Sequence, residues 1–199
     1  MGGGASSCNK KLVDASRRGV IKEMEAAFKK GADPNSKDEH GNTALICAAQ
    51  RGQAKACELL IQKKAEVDFL NKSDKTAVHY ATKDGDKEYN ATLKVLLDAG
   101  AHADIYDEIR QTPLFYTAWF GNLEMTTMLL EKGAKVDNQT PQGDTPLHGA
   151  AKMGKLEICK LLVEKGADTK KKDGQDRTAL DCAEYMKTAD CVEYLKTVT

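Results

Sequence analysis

Apolar residues recur along the chain in pairs of short runs, and each pair is followed by a polar turn. A threonine followed two residues later by an aliphatic residue opens the first run of each pair, at Thr43, Thr76, Thr112, Thr145 and Thr178. Successive threonines are 33, 36, 33 and 33 residues apart, and the small pair that follows each second run has the same spacing. A fixed period of this length predicts stacked repeats, with three extra residues in one repeat at or near Lys83 to Asn90.

Each repeat predicts two helices. Threonine is a good helix N-cap and proline suits the first helical position, so Thr-Pro at Thr112 and Thr145 indicates helix starts. A glycine follows the first helix, and the second helix ends at the glycine of a Gly-Ala pair, where a left-handed conformation is expected. Lys64 stands at that glycine position in the second repeat. A left-handed lysine costs about 1 kcal/mol, so we expect this repeat to be locally weaker.

The repeat resembles the ankyrin repeat, whose pattern of about 33 residues includes Thr-Pro-Leu-His. The motif is complete at residues 145–148, whereas Phe115 and Asp181 stand in place of histidine in two other repeats. The resemblance covers residues 10–199, and residues 12–19 resemble an amino-terminal capping repeat. It implies an all-α ankyrin-repeat solenoid of helix-turn-helix repeats with projecting β-hairpin-like loops. We expect a single domain of six repeats, approximately 10–37, 38–70, 71–106, 107–139, 140–172 and 173–199.

Composition and charge exclude several classes of function. Thirty Lys and Arg residues balance thirty Asp and Glu residues, so the chain lacks the net positive field of a nucleic-acid-binding protein. No apolar run approaches the roughly 18 residues of a membrane span. The six cysteines form no Cys-x-x-Cys pair, and the amino terminus has no signal-peptide core. These features predict a reducing, cytoplasmic location without disulfides or zinc sites.

The candidate catalytic residues do not form a recognisable constellation. His79 and His148 occupy the same place in the repeat, and the resemblance implies that they make hydrogen bonds within the framework. Four of the cysteines also recur in register, which favours a packing role. His40 and His102 lie off register but belong to no catalytic or phosphate-binding motif. We therefore expect no enzymatic activity, no metal site and no cofactor.

Two positions just before the glycine that follows the first helix vary between repeats, and in ankyrin proteins they contribute to binding together with the loop tips. They are mostly basic in the first three repeats and aromatic or methionine in the last three, the composition of binding hot spots. The predicted protein-binding residues are Trp119, Phe120, Met153, Tyr185 and Met186, with Ile109 at a loop tip and Arg17, Arg18 and Arg51 facing acidic groups of the partner. In the alternative interpretation the aromatic pair packs between repeats, and the carboxy-terminal tail covers residues 185–186.

These features predict a monomeric, non-enzymatic protein–protein interaction module, an adaptor or inhibitor that binds its partner through the concave face. The alternative is a regulatory subunit that docks on an enzyme and modulates it. The sequence leaves both open, because both require the same exposed binding surface. It does not identify the partner.

The amino terminus carries a candidate lipidation signal. Residues 1–6 fit the Met-Gly-x-x-x-Ser pattern for N-myristoylation of Gly2, and Cys8 and Lys10-Lys11 could supply a second membrane signal. We expect residues 1–9 to form a flexible segment, with the lipid placing the chain at the inner leaflet of a membrane. The alternative is a Gly/Ser leader without lipid.

Overall fold

Helices occur in consecutive pairs along the chain. The structure, a computed structural model, describes the backbone of residues 3–82 and 87–199 and the side chains of residues 7–82 and 87–199. The first helices of the pairs are α1 (Gly3–Arg18), α3 (Ala44–Ala49), α5 (Ala77–Ala81), α7 (Pro113–Phe120), α9 (Pro146–Lys152) and α11 (Ala179–Met186). The second helices are α2 (Ile21–Lys29), α4 (Ala54–Gln62), α6 (Lys87–Asp98), α8 (Leu123–Glu131), α10 (Leu156–Glu164) and α12 (Ala189–Lys196). Within these described ranges, the isolated β-bridges are limited to Lys37 with Thr43.

The chain divides into two compact units, Met1–His102 and Ala103–Thr199, called unit 1 and unit 2. In unit 1, α3 packs against α1, α4 and α5; in unit 2, α9 packs against α7, α10 and α11. Each unit is therefore a stack of three helix pairs, the arrangement expected of an ankyrin solenoid. The division falls close to the predicted boundary between the third and fourth repeats, within the range expected to form one domain.

Threonine caps begin the first helices, as the pattern predicts. The Thr43 hydroxyl accepts a hydrogen bond from the N–H of Ile46, three residues later, at 3.2 Å. The hydroxyls of Thr112, Thr145 and Thr178 each accept from the N–H three residues later in the same way. Proline occupies the first turn of α7 and α9. These caps satisfy backbone groups that would otherwise lack partners at the helix starts.

The two in-register histidines complete the same caps. The N–H of Thr145 donates to Nδ1 of His148 at 3.2 Å, and Nε2 of His148 lies 3.0 Å from the carbonyl oxygen of Arg177. Burial lowers the pKa of His148, which favours the neutral ring that these two bonds require. Nδ1 of His79 accepts from the N–H of Thr76 in the same way, at 3.1 Å. Both histidines therefore hold the framework together.

The second helices end with a left-handed residue. Gly133 and Gly166 have φ of 87° there, and Lys64 adopts the same conformation with φ of 67°. A Cβ at either glycine would meet no atom within 4 Å, so the position is open and only the backbone conformation opposes a side chain. Lys64 therefore carries the backbone strain that its place in the repeat predicts.

The three extra residues of the third repeat lengthen its second helix. Helix α6 has 12 residues, whereas α4, α8 and α10 have nine each. The beginning of α6 contacts the second repeat, where the Tyr89 hydroxyl donates to the carbonyl oxygen of Gln50 at 3.0 Å. Residues 83–86, the other part of the predicted insertion, lie outside the described residues.

Helix α1 begins at Gly3, so residues 3–9 continue a helix where a flexible segment was expected. Its second turn contacts the chain that follows α2. The side-chain oxygen of Asn9 accepts from the N–H of Asp33 at 2.9 Å, and the Cys8 thiol lies 3.7 Å from the carbonyl oxygen of Lys30. Gly2, the predicted myristoylation site, lies outside the described residues. None of the helices in the described ranges combines the length and the hydropathy needed to span a bilayer.

Candidate protein-binding surface

A row of exposed apolar side chains lies at the carboxy-terminal ends of three neighbouring helices in unit 2. Phe120 is 54% exposed, Met153 40%, Tyr185 73% and Met186 49%. Since α9 packs against both α7 and α11, the ends of these helices follow one another along the unit. We call these four residues the apolar patch. Because Tyr185 and Met186 are exposed, the carboxy-terminal helix does not cover them, contrary to the alternative interpretation.

Phe120 rests on a ring that is itself anchored. It stacks on Tyr116 with ring centroids 6.5 Å apart and planes inclined by 8°. The Tyr116 hydroxyl donates to the carboxylate of Asp107 at 2.6 Å, and Asp107 is buried. The exposed phenyl ring is thus supported from below, which limits the entropy that it would lose on binding.

Trp119, the neighbour of Phe120, lies half-buried between two repeats. It stacks on Phe115, with centroids 6.0 Å apart. A Cβ on Gly149 of α9 would lie 3.6 Å from Cε3 of Trp119. Trp119 therefore contributes to packing between α7 and α9, as the alternative interpretation held, and offers a partner only part of its surface.

Tyr185 is flanked by a network of charged groups. The guanidinium of Arg177 lies 5.6 Å from the centroid of its ring and donates two hydrogen bonds to Oδ2 of Asp173, at 2.7 and 3.0 Å. Lys152 bridges Asp144 at 2.6 Å and Asp173 at 3.6 Å. Burial alone would raise the pKa of Asp173, but the hydrogen bonds from Arg177 and from the N–H of Gln175 outweigh it and hold that pKa well below its usual range.

The predicted arginines of unit 1 differ in availability. Arg17 donates to Asp38 at 2.9 Å, and Arg18 pairs with Glu23, so both are engaged within the chain. Arg51 is exposed and forms no ion pair with another described residue. In unit 2, Ile109 is 53% exposed at the tip of its turn, as expected of a contact residue.

All six cysteines are buried free thiols. Burial raises the pKa of both Cys47 and Cys57 to about 12, so neither is ionised near neutral pH. Across residues 3–82 and 87–199 no group of three or more His, Cys, Asp or Glu side chains could hold a metal ion. The burial of Cys8 places its thiol out of reach of an acylating enzyme while α1 is folded.

Comparison with known families decides the class of the chain. The profile of the family described as "Ankyrin repeats (3 copies)" matches residues 12–107, 68–140, 87–173 and 114–197, nearly the whole chain. The chain belongs to the ankyrin repeat family. Ankyrin repeats form a protein–protein interaction module that is typically non-catalytic.

Curated relatives of this ankyrin chain match it over parts of their own length. Human "SH3 and multiple ankyrin repeat domains protein 2" is 32% identical over 114 residues, which are 56% of this chain and 6% of that protein. "Ankyrin repeat domain-containing protein SAT10" of Stachybotrys chartarum is 30% identical over 119 residues, or 59% of this chain and 6% of that protein. The chain thus spans a small fraction of the curated relatives that it matches.

A solved structure matches the ankyrin fold over its full length. One chain of "Bd0816 Predatory Endopeptidase from Bdellovibrio bacteriovorus in complex with immunity protein Bd3460" aligns with a TM-score of 0.85 and 27% identity. The alignment covers 96% of this chain and 98% of that one.

Sequence reasoning missed the polar residues that anchor the turns of the ankyrin repeats. The carboxylate of Asp107 accepts hydrogen bonds from the N–H groups of Ile109 at 3.2 Å and Gln111 at 2.8 Å, and so closes the turn. The equivalent residues of the other turns are Asp38, Asn71, Thr140 and Asp173. They repeat with the same spacing as the threonines, and that spacing was the signal that could have found them.

Proposed function

We propose that this ankyrin chain is a monomeric adaptor or inhibitor that binds a protein partner through the apolar patch of unit 2. The observation that carries the proposal is the exposure of four large apolar side chains at the ends of adjacent helices, three of them (Phe120, Met153 and Met186) at the same position of the repeat. Contiguous apolar patches of this kind mark interaction sites, whereas scattered apolar residues do not. Rigid presentation by α7, α9 and α11, on the concave face expected of the family, would be the mechanism.

Phe120 and Tyr185 are the anchors of this surface. Both are aromatic, both are more than half exposed, and each is supported by a neighbour that is fixed to a buried carboxylate. Ile109 and the exposed edge of Trp119 add apolar area. Of the three predicted arginines, Arg51 is the one that attracts acidic groups of the partner, because the charges of Arg17 and Arg18 are already neutralised within the chain.

A second function, that of a regulatory subunit that docks on an enzyme and modulates it, is supported by the solved complex. One chain of an endopeptidase–immunity protein assembly has this fold over nearly its whole length. An assay of the purified partner with increasing amounts of this chain separates these roles. An inhibitor or a regulatory subunit changes the turnover of its partner, whereas an adaptor binds without changing it.

The test of the surface compares a double variant of the apolar patch with a single substitution of an exposed apolar residue outside it. Phe120→Ala with Tyr185→Ala removes both anchors, and Leu123→Ala removes a 44% exposed side chain from α8. After the partner has been identified by affinity capture, calorimetry should show a loss of at least about 2 kcal/mol for each anchor. The Leu123 variant should bind like the wild type. Unchanged affinity of the double variant, with helicity retained, would remove the patch from consideration.

We further propose an intracellular location with Gly2 N-myristoylated and the chain at the cytoplasmic face of a membrane. The Met-Gly pattern supports acylation, and six free thiols suit a reducing compartment. Labelling with a myristate analogue in cells should mark the wild type but not Gly2→Ala. An unlabelled wild type, beside an acceptor that is labelled, would refute acylation.

A further inference from the structure

Five exposed lysines gather at one end of unit 1. Two of them lie at the carboxy-terminal end of α2 and two follow α4, while the fifth lies near the middle of α1. They are Lys11, Lys29, Lys30, Lys63 and Lys64, and we call them the lysine cluster. None of the five forms an ion pair with another described residue, so their charges are available to a partner.

The fold places four of these lysines in two clefts, one on each side of α2. Lys11 and Lys30 line the cleft between α1 and α2. Lys29 and Lys63 line the groove between α2 and α4, where Nζ of Lys63 lies 5.8 Å from the ring centroid of Phe28. The half-buried Phe28 ring therefore lies among ammonium groups, an arrangement typical of surfaces that meet the boundary between lipid headgroups and acyl chains.

Fewer carboxylates than basic groups lie at this end. Glu25 lines the groove with Lys29 and Lys63, and Asp33 and Glu66 follow in the adjoining loops. Asp14 and Glu23 also line the cleft of Lys11 and Lys30, but each of them is paired with an arginine, Arg17 and Arg18 respectively. The net charge of this end is therefore positive, although the chain as a whole is neutral.

We propose that the lysine cluster docks unit 1 on the surface of a bilayer that contains anionic lipids. Each lysine close to such a surface strengthens the attraction several-fold, and the effect is lost within a Debye length. The proposal goes beyond the protein-binding function of unit 2 and does not depend on acylation. It assigns the two activities to different units of the same chain.

The position of the amino terminus favours a bilayer over an acidic protein as the partner. The Cys8 thiol lies 3.7 Å from the carbonyl oxygen of Lys30, so the start of α1 lies at the same end of unit 1 as the cluster. Gly3 is then about 8 Å further along the helix axis, at 1.5 Å per residue. A bilayer would contact the Phe28 ring and the start of α1 as well as the ammonium groups, whereas an acidic protein would use the charges alone.

The experiment is co-sedimentation of the unacylated full chain with phosphatidylserine–phosphatidylcholine vesicles at low ionic strength. Lys29→Glu/Lys63→Glu reverses two charges of the cluster. Lys22→Glu/Lys55→Glu makes the same change in net charge near the opposite ends of the same helices, where both lysines are exposed. We expect the cluster variant to lower the vesicle partition coefficient at least about tenfold and the control variant less than about threefold. Circular dichroism melts confirm that both variants are folded.

Several outcomes decide the proposal. Binding that disappears on pure phosphatidylcholine vesicles and at high ionic strength supports it. Equal losses in both variants would show that net charge alone acts and would overturn it. Absence of wild-type binding, or preference for poly-glutamate over vesicles of equal charge density, would also overturn it. These results leave the patch of unit 2 untouched, because its test uses different residues and a protein partner.

Discussion

Asp173 connects the turn of the last repeat with the groups that flank Tyr185, so its removal tests how the binding surface is held. Its Oδ1 accepts the N–H groups of Gln175 and Arg177 at 2.9 and 3.1 Å. Its Oδ2 binds the guanidinium of Arg177 and lies 3.6 Å from Nζ of Lys152. Only 2% of the side chain is exposed. The two oxygens thus serve the turn and the network separately.

Two substitutions separate these contributions. Asp173→Asn keeps an acceptor for the turn, as Asn71 does at the equivalent place in the third repeat. The asparagine lacks the negative charge that faces Arg177. Lys152 loses one of its two acidic partners but retains its ion pair with Asp144. We expect Asp173→Asn to lower the free energy of unfolding by about 2 kcal/mol and Asp173→Ala by about 4 kcal/mol, because alanine also leaves the two N–H groups without an acceptor.

The difference between wild type and Asp173→Asn should depend on pH. The pKa of Asp173 in the folded chain lies below its value of about 3.9 in the unfolded chain. The ionised form therefore stabilises the fold at all pH values above about 4, and this contribution is lost as the pH falls from there towards the folded pKa. The gap between the two proteins should be constant from neutral pH to about 5 and close below about 4.

Urea denaturation followed by circular dichroism at several pH values measures this gap. Asp176→Asn is the control, since Asp176 is 82% exposed and pairs with Lys172 at the surface, where ion pairs contribute little. If Asp173→Asn were as stable as the wild type, or if its deficit persisted unchanged at the lowest pH, the assigned network would be wrong.

Two further predictions concern the framework. Lys64→Gly should raise the free energy of unfolding by about 1 kcal/mol, because it removes the strain of a left-handed lysine, and Gly133→Ala at an equivalent position should lower it by a similar amount. The midpoints of urea denaturation measure both changes. A lower midpoint for Lys64→Gly would refute the strain. The six buried thiols should react slowly with a thiol reagent in the native chain and promptly in urea, and a native thiol that reacts at once would contradict the burial.

The repeat period predicted the fold because its markers act locally. A threonine cap or a left-handed glycine depends on its own turn of chain, so the pattern at Thr145 or Gly166 is visible without the tertiary structure. The anchors of the turns were missed because an aspartate in a loop carries no such signal by itself. The repeat spacing could have marked Asp107 as a turn residue, but its hydrogen bond with the Tyr116 hydroxyl, nine residues further on, is visible only in the structure.

The binding surface was only partly predictable, for a similar reason. Helical positions one residue apart differ by about 100° in direction, and the sequence did not show whether Trp119 or Phe120 points outwards. The pairing of Arg17 depends on Asp38, which lies 21 residues away in another repeat. Such pairings require the register between repeats, which a single repeat does not reveal.

Gly149 shows how one repeat shapes the surface of its neighbour. Tyr80 and Tyr116 occupy the equivalent position in other repeats. A Cβ at Gly149 would lie 3.4 Å from Cε2 of Phe115 and 3.6 Å from Cε3 of Trp119, so both rings pack directly against α9 at this residue. Trp119 packs against α9 at this glycine, and Phe120, one position further round the helix, is the ring left outside. The apolar patch is therefore a property of adjacent repeats taken together, and repeats moved to another context would lose it.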